Sequence, residues 1–181
     1  MLNNQIKNQL KKGFTLIELL VTIAIIGIVM SIAVPNFSGT ISNNRLATNA
    51  NQLIASLNFA RSEAIKRGTK VHVRKIGGGN SIWDGGWNIF IDLDGDNIFN
   101  NTDTLLKTYP ALSNGYTLRT GGNYHVWVAY LPTGLMESSG PSTNDTFRIC
   151  ATANDIVNSR TVIVNSVGRA RVSSGNAATC P

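Results

Sequence analysis

Side chains able to do chemistry gather in a few places along this sequence. Asp92-Leu93-Asp94-Gly95-Asp96, followed by Asn97, Asn100 and Asp103, sets carboxylates at positions one, three and five with Asp103 twelfth. That is the layout of a calcium loop. Glycine stands fourth where such a loop wants it sixth, and the last ligand is Asp instead of a bidentate Glu. The competing reading is a solvated turn, for which Asp, Gly and Asn are good formers, and no metal site is assigned. Two basic clusters follow the same logic of charge. One holds Arg61, Lys66, Arg67, Lys70, Arg74 and Lys75 against Glu63; the other holds Arg148, Arg160, Arg169 and Arg171 against Asp155. The first is expected to cover the outside of a helix and an edge strand. The second contains Gly168-Arg169-Ala170-Arg171, in which two arginines one residue apart point to the same side of an extended segment, about 6.6 Å apart. Each guanidinium can grip a phosphate bidentately, and Gly168 frees the backbone to present them.

Cys150 and Cys180 are the two cysteines. In an exported, oxidising setting they pair, closing a loop of about 30 residues and contributing roughly 3–4 kcal/mol; otherwise they are two separate buried thiols. His72 and His125 lie in strand patterns with no Cys, Ser or carboxylate at motif spacing, and there is no nucleotide-binding loop, HExxH or CxxC. No catalytic residue, enzymatic activity or cofactor is expected.

The apolar content is concentrated at Phe14–Val34, broken only by Thr15, Glu18, Thr22 and Ser31. At about 1.5 Å per residue this run crosses the roughly 30 Å hydrocarbon core of a bilayer. Lys7, Lys11 and Lys12 precede it and hold that end in the cytoplasm, sending the rest outward. Ile32-Ala33-Val34-Pro35 is a poor secretory cleavage site. A carboxylate inside such a run costs about 2.5–3.5 kcal/mol, so Glu18 calls for a partner. Cleavage at Gly13–Phe14 would create one, the new α-amino group of Phe14 on a neighbouring subunit; a carboxyl snorkelling to the headgroups is the alternative. The formal charge is +6, which favours anionic partners. Without residues 1–13 the 16 basic side chains fall by three to 13 against 10 acidic, so the distribution of charge carries more than its total.

After Pro35 and Gly39, where a kink or local melt is expected, apolar residues recur at Leu46, Ala50, Leu53, Ile54, Leu57, Ala60, Ala64 and Ile65. Steps of three and four give one buried helical stripe, with Gly68 as its stop. Downstream, β-branched and aromatic runs predict strands at 71–76, 87–93, 105–109, 116–119, 124–131, 147–151, 161–165 and 170–172, separated by Gly- and Asn-rich turns. The expected fold is α+β, a long N-terminal helix packed on antiparallel β-sheet.

The stretch KKGFTLIELLVTIAIIGIVMSIAVPNF closely resembles the class III signal of type IV prepilins and type II secretion pseudopilins. FARSEAIKRG, residues 74–87, WNIFIDLDGDNIFN, YLPTG and VNSVGRARV are similar to the FimT/GspH pattern, and GRAR resembles the GRxR motif of FimT-type minor pilins. The resemblance implies a leader at 1–13 cut by prepilin peptidase after Gly13, N-methylation of Phe14, and assembly with other pilins through Glu18. It further implies an inner-membrane and fibre-core helix at 14–35 and a periplasmic or extracellular domain at 36–181 that includes an amphipathic helix at 42–67. For FimT-type proteins the implied partner is DNA, captured without sequence preference during natural transformation, through Gly168, Arg169 and Arg171 of the GRAR motif; the charge cluster adds Arg148 and Arg160 to the expected contact set. A GspH-like pseudopilin of type II secretion or a purely structural initiator of pilus assembly are the alternatives.

Overall fold

In a computed structural model the described residues are 13–113, 115–151, 159–175 and 180. The lysines before Gly13, Asp155 and residues 176–179 of the tail lie outside them. Among the described residues a single helix, α1 (Leu16–Arg67), is followed by nine strands: β1 (Val71–Lys75), β2 (Trp87–Ile91), β3 (Thr104–Tyr109), β4 (Thr117–Thr120), β5 (Trp127–Tyr130), β6 (Met136–Ser138), β7 (Asp145–Cys150), β8 (Ser159–Val164) and β9 (Ala170–Ser174). The backbone stays helical across Pro35 and Gly39, so the local melt, one of the two expectations there, is corrected. Proline withholds one backbone donor, and the ladder on either side carries the helix through.

The chain divides into two compact units, residues 1–41 and 42–181. In the first, Leu16–Ala33 has a mean hydropathy of 2.6 and buries nothing within the chain. A helix apolar on all sides needs lipid or other helices around it. Its N-terminus is a capping box that the sequence reading overlooked: the Thr15 amide and hydroxyl donate to the Glu18 carboxylate at 3.0 and 2.9 Å, and the Glu18 amide donates to Thr15 Oγ1 at 3.3 Å.

The second unit has a core of its own. Among the described residues every buried apolar side chain falls between Leu46 and Cys180. Leu46, Ala50, Leu53, Leu57, Ala60 and Ala64 form the buried stripe, while Ile65 is exposed. Gly68, at φ +66°, ends the helix with its amide on the Ala64 carbonyl at 3.0 Å. The strands form two antiparallel sheets where one was expected: a five-stranded sheet in the order β3-β2-β1-β5-β6 and a four-stranded sheet in the order β4-β7-β8-β9. Both turn their inner faces to the helix. Val71, Val73, Ile89, Val128 and Tyr130 come from the first, and Leu118, Phe147, Ile149, Val162 and Val164 from the second. Trp83 joins them at the seam, edge-on to Phe147 at 5.2 Å with its Nε1 donating to the Tyr124 carbonyl at 2.9 Å.

Candidate nucleic-acid interface

Alternation along the strands decides which arginines of the second cluster share a face. Phe147 and Ile149 of β7, Val162 and Val164 of β8 and Leu118 of β4 are buried toward the helix. Their neighbours therefore point outward from the four-stranded sheet. Arg119, Arg148, Thr161 and Ser173 stand side by side in one row, and Thr146, Ile163 and Arg171 in the next. Arg169 precedes β9 and continues the side of Arg171. The outer strand positions carry no carboxylate and no aromatic ring among the described residues.

Arg169 and Arg171 are exposed, and neither makes an ion pair with a described carboxylate. With Ile163, Asn165 and Ala170 they line a groove of about 430 Å³. Arg119, the cross-strand neighbour of Arg148, is ion-paired with Asp84; the pairing relieves the repulsion between like charges directly opposite each other. Arg160 is not on this face. Its register places it with Val162 and Val164, on the helix side, where its guanidinium donates to Asn43 Oδ1 and to the Ser159 carbonyl at 2.8 Å. The structure thus brings together Arg148, Arg169 and Arg171 and separates Arg160 from them.

Gly168 is needed for two reasons. Its φ is +76°, and an added Cβ would lie 2.7 Å from Tyr130 Cε1 and 3.3 Å from Met136 Cβ. Cys150 lies on the same outer face as Arg148, and its disulfide to Cys180 (S–S 1.98 Å) anchors the chain end beside the sheet.

The first basic cluster is engaged internally. Arg67 bonds Glu63 at 2.5 Å, Lys70 bonds Glu137 at 2.8 Å, and Arg74 donates to the Asn97 carbonyl at 2.5 Å. Asp92, Asp94 and Asp96 do converge, with oxygens within 4.8 Å of one another. Their oxygens also serve their own loop. Asp92 accepts from the Gly95 and Asn97 amides at 2.7 and 2.8 Å, and Asp96 from the Ile98 amide at 2.6 Å. Asn100 and Thr102 bond Asp94 and hold its carboxyl down at about 2. Asp103 closes the loop by accepting from the Leu93 and Asn100 amides at 3.0 and 2.9 Å.

The loop covers the outer face of the five-stranded sheet. His72 is buried there, stacked on Phe90 at 5.3 Å and edge-on to Trp127 at 5.4 Å, with Nε2 3.1 Å from Asn97 Oδ1. Burial pushes its pKa below the usual histidine value, against the opposing pull of Asn97 and Asp92. A second contact escaped the sequence reading, since residues 44 apart show no motif: Ser81 Oγ lies 3.2 Å from His125 Nδ1 and 3.1 Å from the Gly121 carbonyl. Ser81 also exchanges backbone bonds with His125 and Thr120, so the pair clips two loops together.

Residues 49–168 match the family described as Type II transport protein GspH, and residues 8–34 match the prokaryotic N-terminal methylation motif. None of the curated proteins matches the chain. Two crystal structures of the Pseudomonas aeruginosa type IV minor pilin FimU share the fold at 20% identity. One has a TM-score of 0.62 and covers 76% of this chain and 96% of that one. The other has a TM-score of 0.60 and covers 75% and 100%. Pilins are structural proteins, and the apolar N-terminal helix fits a membrane-anchored pilus subunit that is processed at its leader and assembles with other pilins. The chain therefore belongs to the FimT/GspH family of type IV pilins.

Proposed function

We propose that this protein is a minor type IV pilin that binds DNA through the outer face of its four-stranded sheet and supports DNA uptake in natural transformation. The observation that carries this reading is the arginine pair Arg169 and Arg171, exposed and without a described acidic partner beside a groove, on a face whose described outer strand positions include no carboxylate. Guanidinium groups so placed bind phosphate oxygens and contact no base edge, so binding is independent of sequence and sensitive to salt. A single domain with so few contacts binds weakly, and several copies on one fibre raise the affinity by avidity. The double substitution Arg169→Gln with Arg171→Gln removes most DNA retardation and leaves the melting temperature nearly unchanged. Retardation equal to that of the unmodified protein overturns the reading.

Residues 1–13 are read as the leader, cleaved after Gly13 by prepilin peptidase, with Phe14 then methylated and residues 14–35 held in the inner membrane or the fibre core. The domain 36–181 lies in the periplasm or on the fibre. In the unassembled chain the Glu18 carboxylate caps its own helix; in the fibre it would pair with a neighbour's Phe14 amine. Mass analysis of membrane-extracted protein tests this, since a chain still carrying its first thirteen residues contradicts it. A GspH-like role as a structural tip subunit in type II secretion is favoured by the description of the matching family. Failure to bind DNA at low salt would select it. An initiator of pilus assembly would be revealed by loss of fibres along with transformation.

A further inference from the structure

Arg169 sits outside β9, in the turn that joins β8 to β9, so something other than the sheet ladder must fix where it points. Asn165 does much of this. Its Oδ1 accepts the Arg169 amide at 2.8 Å, its amide donates to the Arg169 carbonyl at 3.2 Å, and its carbonyl accepts the Gly168 amide at 2.9 Å. A short polar side chain capping a nearby backbone donor is the usual device for locking such a turn. The second support comes from the other sheet. Tyr130, on β5 and buried, donates its hydroxyl to the Gly168 carbonyl at 2.9 Å, and its ring is what a side chain at position 168 would strike. Burial pushes the Tyr130 hydroxyl up to about 12, so it keeps its proton and remains a donor.

We infer that Asn165 and Tyr130 are positioning residues for the anion-binding face: they hold the turn 165–169 so that Arg169 and Arg171 act on one phosphate backbone together. This inference rests on the DNA-binding reading of that face. The two supports are independent. Asn165 fixes the turn within the four-stranded sheet, and Tyr130 fixes the turn to the five-stranded sheet, so loss of either lets Arg169 wander while Arg171 stays in its ladder with Ile163. Neither side chain carries a charge. Their removal should therefore weaken binding without changing how many counterions are released.

The test uses the full chain in neutral detergent with a duplex of random sequence, at a temperature where every variant is folded. Asn165→Ala and Tyr130→Phe are each expected to weaken binding roughly fivefold, the usual worth of one hydrogen bond, with the salt slope unaltered. Arg169→Gln should instead make the slope shallower by about 0.9. Hydrogen exchange supplies a readout independent of DNA. The peptide spanning residues 165–171 should exchange faster in both variants while the peptide spanning β7 is unchanged, and Asn165→Asp, which keeps the acceptor, should restore protection. Equal acceleration in both peptides, or affinities within twofold of the unmodified chain, overturns the inference while the DNA reading stands. If the unmodified chain binds no duplex at low salt, the DNA reading itself fails, and local exchange alone then reports whether the turn is held.

Discussion

The two sheets of the second unit are built on the same plan and treat their outer faces in opposite ways. On the five-stranded sheet the loop 92–103 folds back over His72 and Phe90, and its acidic groups are bonded to its own backbone or answered by nearby donors. On the four-stranded sheet the outer positions Cys150, Ser159 and Thr161 are buried at the end where Cys150 is bonded to Cys180, whereas at the other end Arg169 and Arg171 are exposed and have no described acidic partner. A charge with its hydrogen bonds satisfied at home contributes to the fold, whereas a charge left open is available to a partner. The lesson is that abundance of charge says little: the acidic loop is the denser cluster, yet the sparser basic face is the better candidate for binding.

If that contrast is right, damage to the closed face should cost stability, and damage to the open face should cost binding. The largest effect is expected from Phe90→Ala. Phe90 is fully buried between His72 and Phe99, and its truncation should lower unfolding free energy by about 3–5 kcal/mol, measured by denaturant titration, with DNA affinity retained below the melting point. Next comes replacement of Cys150 and Cys180 by alanine, at the covered end of the four-stranded sheet, expected to cost about 3–4 kcal/mol in the same titration. A smaller effect follows from pH. His72 is held below its ordinary value of 6.5, so the unfolded chain takes up the proton first as the medium is acidified. Its contribution is therefore complete above about pH 6.5 and is lost progressively below it. The melting temperature of His72→Gln should fall less than that of the unmodified chain between about pH 7.5 and pH 5. Smallest of all is Arg160→Gln, which should change DNA affinity by less than about twofold because its guanidinium faces the helix; a loss comparable to that of Arg169→Gln would break the proposed division of faces.

Much of this was legible in the sequence because it depends on local pattern. The helical stripe from Leu46 to Ala64, the stop at Gly68 and most strand positions follow from periodicity and turn chemistry, which act within a few residues. The short strand β6 at Met136–Ser138 was missed because three residues carry no usable alternation. The split into two sheets also escaped, since sheet membership is a matter of long-range pairing. Register accounts for the misplacement of Arg160. Counting basic residues grouped it with Arg148, whereas parity with Val162 sends it to the opposite face. Glu18 looked like an isolated buried acid, although Thr15 three residues earlier completes a capping box that spacing alone would have revealed.

The most direct test of the central claim is a salt titration of duplex binding, with log affinity followed against log salt concentration. The account predicts a linear fall for the unmodified chain and a slope shallower by about 1.8 when Arg169 and Arg171 are both glutamine, two phosphate contacts at about 0.9 each. Identical slopes for the two proteins, or no binding by the unmodified chain at low salt, would contradict it.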